Sequence, residues 1–247
     1  MNKMAFLSRL FRDGRQYRLL LLISLATCFD VFLVQARFAL KQARAYPSGD
    51  FIWPELQAFF GLSWSFLTWN LFLAWIPCLA ALLFERLQAA GAGRWALLIW
   101  FGIWLAFLPN APYIVTDFIH LEPRPPIPVW YDMVLLFSYA CTGMALGVFS
   151  LYEVHQALRR QFSGKIAHLI IFGASGLAGF GVWLGRFLRW NSWDILTNPA
   201  GLLRDILQTL ANRYELIKAL GISGLMGAVL LMGYLMLYAV LATDRQT

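Results

Sequence analysis

The fold is decided by residues 95–120, which read WALLIWFGIWLAFLPNAPYIVTDFIH. Its first half is an unbroken apolar run, and the whole stretch exceeds the roughly 20 residues that an α-helix needs to cross the hydrocarbon core of a bilayer. Its second half places Pro109, Asn110, Pro112, Asp117 and His120 in that run. The stretch therefore predicts a membrane-spanning helix that proline breaks, with polar groups beyond the break.

The composition of the chain points to an integral membrane protein. Of its 247 residues, 60% are hydrophobic and 13% are charged, with a mean hydropathy of +0.62, whereas roughly 25% of residues are charged in soluble domains. Only helices and closed β-barrels satisfy their backbone hydrogen bonds in lipid, and these continuous apolar runs lack the alternation of barrel strands. No basic soluble domain is present, so the net charge of +7 does not indicate nucleic-acid binding.

Six apolar runs are long enough to span a membrane, near residues 19–37, 64–84, 95–120, 132–152, 167–187 and 217–241. We expect an all-α fold, a polytopic membrane helix bundle with a single domain at residues 19–241. A basic segment, residues 1–18, precedes it, and a tail, residues 242–247, follows. The first segment also resembles a signal peptide, but no small-residue cleavage pattern follows, which favours an uncleaved anchor. Basic N-terminal segments usually stay in the cytoplasm, so both termini are expected there.

Two connecting segments on the outer side have compositions typical of a membrane surface. Residues 46–66 are rich in aromatic side chains and contain two prolines. Residues 199–212 form an amphipathic pattern, with Asn198 as the N-cap and Pro199 at the first helical position. The second segment predicts an interfacial amphipathic helix that covers the bundle, with Asp205 on its polar side.

The broken third span carries a candidate site. Asn110 can cap the helix that restarts after Pro109, and Tyr113, Asp117 and His120 then share one α-helical face at i, i+4 and i+7. Asp117 and His120 are close enough on that face to form a pair. An ionisable residue at membrane depth is costly unless it is paired or hydrated, so the stripe predicts a bundle interior or a wet cleft. A purely structural pair is the alternative.

Polar residues from other spans fall on the same face, because spans two and four start where three and five end. The pattern predicts a pocket for an anionic or lipid-derived substrate, with Arg186 and Arg189 one turn apart to hold a phosphate or carboxylate or to neutralise an aspartate. Its candidate catalytic residues are His120, Asp117 and Asp194. Its candidate substrate-binding residues are Asn70, Asn110, Tyr113, Thr116, Tyr131, Asp132, Arg186, Arg189, Asn191 and Ser192.

Three kinds of function fit this pocket. A transferase or hydrolase would use His120 as general acid or base, oriented by Asp117. A proton-coupled transporter or channel would use the broken helix and the same pair. A structural or assembly factor would use the small-residue pairs Gly143 with Gly147 and Gly181 with Gly185, which predict close helix packing.

No cofactor is expected, and membrane lipids are the expected partners. A metal site would need at least three of Asp117, His120, Glu122 and Asp132 to converge. Cys28, Cys78 and Cys141 lie within spans without paired spacing and are read as packing residues. His155 and His168, on the opposite side of the membrane, are expected to face solvent or lipid head groups.

The strings LTWNLFLAWIP (67–77), FLPNAPYIVTDFIHL (107–121), WYD (130–132) and GRFLRWNSWDIL (185–196) resemble hallmark segments of a bacterial integral membrane family, domain of unknown function 1361. The resemblance covers about residues 20–240. It implies a multi-pass protein of the bacterial plasma (inner) membrane and supports treating these segments as one site. It implies no reaction.

Overall fold

A computed structural model describes residues 14–45 and 64–243, which are almost entirely helical. Most of the predicted surface segment at 46–66, of the basic segment at 1–18 and of the tail lies outside the described residues. The α-helices, in chain order, are α1 (Gly14–Ala45), α2 (Ser65–Ala89), α3 (Arg94–Phe107), α4 (Asn110–Tyr113), α5 (Val129–Gln161), α6 (Gly164–Phe187), α7 (Asp194–Thr197), α8 (Pro199–Ala211) and α9 (Arg213–Thr243), with a 3-10 helix (Ile114–His120) after α4.

Six helical stretches in this part of the chain are long and apolar enough to cross a membrane. The predicted all-α polytopic class is therefore confirmed. The helices run past the predicted ranges; the fourth, predicted to end near residue 152, continues to Gln161. The extension carries Glu153 and His155, both fully buried, so polar composition alone did not mark its end.

Helix α5 forms the centre of the bundle. It contacts α1, α2, α4, the 3-10 helix, α6 and α9, and its Tyr139, Leu146 and Phe149 side chains are buried. Large apolar side chains on the outer surface, such as Phe137 and Leu169, are exposed in the isolated chain. In a bilayer these side chains meet lipid tails, which are as apolar as they are.

The predicted break in the third span is confirmed at Leu108 and Pro109, but the helix that follows is not a continuous α-helix. One α-helical turn, α4, leads into the 3-10 helix. Side chains three residues apart eclipse one another in 3-10 geometry, and Ala111, Ile114 and Asp117 are all buried at that spacing. The predicted α-helical stripe of Tyr113, Asp117 and His120 is therefore wrong in its geometry.

Glycines on α5 and α6 make room for the broken segment. A Cβ at Gly143 would lie 2.8 Å from the Ala111 carbonyl oxygen, and one at Gly147 would lie 2.9 Å from the Ala111 Cβ. On the other side, a Cβ at Gly181 would overlap the Pro109 ring. The small-residue pairs thus pack closely, as predicted, and what they pack against is the break itself.

Candidate functional site

Asp117 is the centre of a buried polar network that joins three elements. Asn70 Nδ2 on α2 donates to one carboxylate oxygen at 2.9 Å, and the Arg186 guanidinium on α6 forms an ion pair with the other. Arg186 Nε also donates to Thr116 Oγ1 at 2.7 Å. The network holds α2, the 3-10 helix and α6 together at one level of the membrane.

Arg186 is held by more than its ion pair. Its Cζ lies 4.2 Å from the centroid of the Tyr113 ring, within the range of a cation–π interaction. The Thr116 hydroxyl in turn donates to the Tyr113 carbonyl oxygen at 2.6 Å. The expectation that Arg186 neutralises an aspartate is confirmed, and its full set of partners leaves this guanidinium poorly placed to clamp a ligand.

His120 is not hydrogen-bonded to this network. Its ring stacks edge-on against Phe66, with centroids 4.9 Å apart, and no hydrogen bond joins it to another described residue. The predicted Asp117–His120 pair is not formed; the carboxylate accepts from Asn70 and Arg186 instead. The two residues proposed to act together in acid–base chemistry thus share no hydrogen bond.

Asn110 contacts both sides of the break. Its Nδ2 donates to the Phe107 carbonyl oxygen at 2.9 Å, which satisfies the end of α3, and to Ser192 Oγ at 3.0 Å. It does not cap the restarting helix as predicted, because it is already the first residue of α4. Asn110 and Ser192 are 82 positions apart in sequence, so this contact depends on the tertiary fold.

Arg189 occupies a position where glycine is usual. It follows the end of α6 in the left-handed region, with φ of 62°, and Trp190 N–H then turns back to donate to the Leu184 carbonyl oxygen at 3.2 Å. A side chain in this conformation costs roughly 1–2 kcal/mol relative to glycine. Its exposed guanidinium forms no hydrogen bond or ion pair within the part of the chain that the structure describes.

Asp194 stabilises its own loop. One carboxylate oxygen accepts from the backbone N–H of Asn191 at 2.7 Å, and the other accepts from Thr197 Oγ1 at 3.0 Å. The Asn191 hydrogen bond holds the pKa of Asp194 below its usual value. The resulting stabilisation of the loop is present at neutral pH and is lost as the pH falls through that lowered pKa.

Tyr131 and Asp132 lie on the same face but bind α1 rather than the broken helix. The Tyr131 hydroxyl donates to the Leu33 carbonyl oxygen at 2.8 Å. Arg37 forms a bidentate ion pair with Asp132, in which Nε donates to Oδ1 at 2.5 Å and Nη2 donates to Oδ2 at 2.9 Å. Arg37 was not among the predicted site residues, because an arginine near the end of a span usually extends to the membrane interface and gives no signal of a buried partner.

Replacing Arg37 by methionine is expected to destabilise the protein by about 3 kcal/mol, because it leaves the fully buried Asp132 carboxylate without its counter-charge. The free energy of unfolding in mild detergent measures the effect. The double variant Arg37→Met/Asp132→Leu should recover much of the loss. A double variant as unstable as the sum of the two single variants would contradict this account.

A cavity of about 580 Å³ lies beside the network, between α2, α3, α4 and α6. Leu202 of α8 lines it, so the amphipathic helix covers the bundle there as predicted. Six of the predicted substrate-binding residues line this cavity, which we call the Arg189 pocket. They are Asn70, Asn110, Tyr113, Arg189, Asn191 and Ser192.

The remaining predicted site residues do not line the Arg189 pocket. Asp117, Thr116 and Arg186 form the network described above, whereas His120, Asp194, Tyr131 and Asp132 have the separate contacts given above. Sequence reasoning missed the apolar wall of the pocket, formed by Leu73, Leu105, Leu177, Phe180 and Leu184. Apolar residues in a span carry no signal that distinguishes a ligand wall from a helix contact.

Helix α8 is capped as predicted, since Asn198 Oδ1 accepts from Gly201 N at 3.1 Å. Asp205 lies on the side of α8 away from the exposed leucines, as predicted, and that side faces the bundle. The Asp205 carboxylate accepts from Trp190 Nε1 at 2.9 Å. Leu203 and Leu207 are instead exposed in the isolated chain, because the helix turns its Asp205 side toward the protein.

Within residues 14–45 and 64–243, no three His, Cys, Asp or Glu side chains are arranged to hold a metal ion.

The expectation for His155 is wrong. His155 does not face solvent or head groups. It is fully buried, and its Nδ1 lies 2.8 Å from the Tyr234 hydroxyl.

Comparison with known proteins places this site within a family. Residues 69–236 match the family model described as Protein of unknown function (DUF1361). The chain belongs to the DUF1361 family. No curated protein and no solved structure matches it. The matched region runs from Trp69 beyond α6, so the DUF1361 segment contains the Asp117 network and every lining residue of the Arg189 pocket.

Proposed function

We propose that this DUF1361 protein binds an anionic, lipid-like amphiphile in the Arg189 pocket. The observation that carries the proposal is the division of the pocket into two parts. Leucines and Phe180 line its membrane-embedded part, whereas Asn191, Ser192 and the unpaired Arg189 lie at its rim. An apolar pocket with a few convergent polar groups suits a ligand with an acyl-type tail and a charged head.

The conformation of Arg189 supports a role for its charge. A residue kept in a strained backbone region often serves a site rather than the fold. Its guanidinium, free of protein partners and beside Asn191 and Ser192, offers paired donors to a phosphate or carboxylate. The predicted orientation puts this rim in the outer leaflet of the plasma membrane, which lipids reach laterally.

Transfer or hydrolysis at this pocket would need an acid or base within reach of the ligand. Tyr113 and Arg189 are the titratable side chains among its lining residues. His120 and Asp117 lie outside the lining, so a catalytic role for either residue requires the site to rearrange. A proton-coupled transporter faces the same requirement, because Asp117 is tied to Arg186 and Asn70.

Arg189→Gly tests the proposal by separating stability from binding. Glycine fits the left-handed conformation, so the variant should be as stable as the native protein or more stable, by up to about 1 kcal/mol. Its affinity for phosphatidic acid should fall about tenfold, the effect of losing one charge-assisted contact. Native mass spectrometry of the full chain in detergent measures lipid occupancy, and thermal unfolding measures stability.

The matched control is Arg204→Gly, which removes an exposed arginine of α8 that lies outside the pocket lining. This variant should keep its affinity for phosphatidic acid. Equal losses in both variants, or no binding by the native protein to phosphatidic acid or to a polyprenyl monophosphate, would overturn the proposed function. The outcome would then favour a structural or assembly role.

A further inference from the structure

A second cavity, of about 500 Å³, lies at the opposite end of α3. Its lining is mostly apolar and includes Leu98, Phe101 and Ile170, with Arg94 and Gln161 at the edge. The Arg94 guanidinium stacks on its neighbour Trp95, with Cζ 5.3 Å from the ring centroid. This end therefore offers an apolar chamber with little polar lining, in contrast to the rim at Arg189.

The two cavities lie along the same faces of two helices. On α3, Leu98 lines the second cavity, and Gly102 and Leu105 line the Arg189 pocket at i+4 and i+7. On α6, Ile170 lines the second cavity and Leu177 lines the pocket, again at i+7. Both helices thus present one continuous stripe to the two cavities.

Glycines occupy the stretch between the cavities. Gly173 lies on the α6 stripe between Ile170 and Leu177, and Gly102 lies at the inner end of the pocket on α3. A Cβ built at either glycine would meet no atom within 4 Å. No neighbouring side chain closes the space beside them.

The length of this path exceeds one leaflet. From Ile170 to Phe187 helix α6 rises about 26 Å, at about 1.5 Å per residue. The hydrocarbon core of a bilayer is about 30 Å thick, so the acyl chain of a phospholipid ends about 15 Å from the surface where its head group lies. A ligand that fills the path must have a longer tail.

We propose that the two cavities are the ends of one groove between α3 and α6, and that it holds a polyprenyl monophosphate whose chain extends beyond one leaflet. The inference rests on the proposed function and names the substrate class of the Arg189 pocket. The phosphate lies at Arg189, and the isoprenoid chain passes Gly102 and Gly173 into the second cavity. One ligand is favoured over two phospholipids because the second cavity is mostly apolar and its one cation, Arg94, already stacks on Trp95, whereas Arg189 has no protein partner among the described residues.

Blocking the middle of the groove tests the inference. The full chain in detergent is offered undecaprenyl phosphate or farnesyl phosphate, and occupancy is measured by native mass spectrometry. Gly173→Leu should weaken the binding of undecaprenyl phosphate about tenfold, because the distal chain loses its dispersion contacts, and should leave that of farnesyl phosphate unchanged. Gly224→Leu, at an open position on α9, is the matched control and should change neither.

The outcomes separate this inference from the proposed function. The inference is overturned if Gly173→Leu changes the binding of neither undecaprenyl phosphate nor farnesyl phosphate, or weakens the binding of both equally. It is also overturned if phosphatidic acid binds the native protein as tightly as undecaprenyl phosphate. In these cases the proposed lipid binding at the Arg189 pocket is unaffected. If none of the three lipids binds the native protein, the proposed function fails and the inference fails with it. The thermal unfolding temperatures of both glycine variants should equal or exceed that of the native protein, because leucine is a better helix former than glycine.

Discussion

Asp117→Ala should destabilise the protein by about 3–5 kcal/mol, the range for removing one partner of a buried ion pair. The Asp117 side chain is 1% exposed and that of Arg186 is 11% exposed, so the guanidinium left behind has little access to water. Asn70 also loses its acceptor. Titration with a denaturing detergent, followed by circular dichroism, measures the free energy of unfolding.

The double variant Asp117→Ala/Arg186→Met separates the effect of an unpaired buried charge from the effect of lost side-chain volume. Methionine removes the uncompensated charge and keeps much of the volume, so the double variant should be more stable than Asp117→Ala alone. His120→Ala, which removes no hydrogen bond within the described residues, should cost well under half as much. Equal losses for Asp117→Ala and His120→Ala would contradict the pairing of Asp117 with Arg186.

Gly179→Val is expected to destabilise the protein by about 3 kcal/mol or more, at or above the upper end of overpacking costs. A Cβ at Gly179 would overlap the Ser223 carbonyl oxygen and lie 2.7 Å from the backbone nitrogen of Gly227. Both are backbone atoms, which cannot rotate away as a side chain does. Relief of the overlap therefore requires α6 and α9 to move apart, which removes packing along both helices.

Gly173→Val is the control for Gly179→Val, because it makes the same change on the same helix where a Cβ meets no atom within 4 Å. The two variants share the same change in intrinsic helix propensity. The difference in their thermal unfolding temperatures thus reports the α6–α9 contact. Similar stabilities for the two variants would show that these helices are not in backbone contact.

The all-α class and the number of candidate membrane spans were predictable from local properties of the chain. Apolar runs such as residues 217–241 define a span by length alone, and Pro109 breaks a helix wherever it lies because its ring removes a donor and clashes with the preceding turn. The cap at Asn198 is equally local, since its partner Gly201 is three residues away. These features need no knowledge of the fold.

The partners of the polar groups were only partly predictable. Because successive spans run in opposite directions, Asn70, Asn110 and Arg189 were predicted to lie on one face of the membrane, and all three line the same pocket. The alternating direction of the spans could not show that Asp132 forms an ion pair with Arg37, because that pair depends on how α1 packs against α5. The predicted pairing of Asp117 with His120 relied on spacing within one helix, which could not show that Asn70 and Arg186 from other helices bind the Asp117 carboxylate.

Sequence by itself therefore determined a six-span helical membrane bundle, a proline break in the third span and the face on which polar side chains collect. Tertiary structure alone decided that Asp117 pairs with Arg186, that Asn110 contacts Ser192 and that the glycines at 143, 147 and 181 enclose the break. The physical reason is the range of the interactions. Hydrophobic length and backbone donors are properties of neighbouring residues, whereas the partner of a buried charge is set by helices that are distant in sequence and adjacent in space.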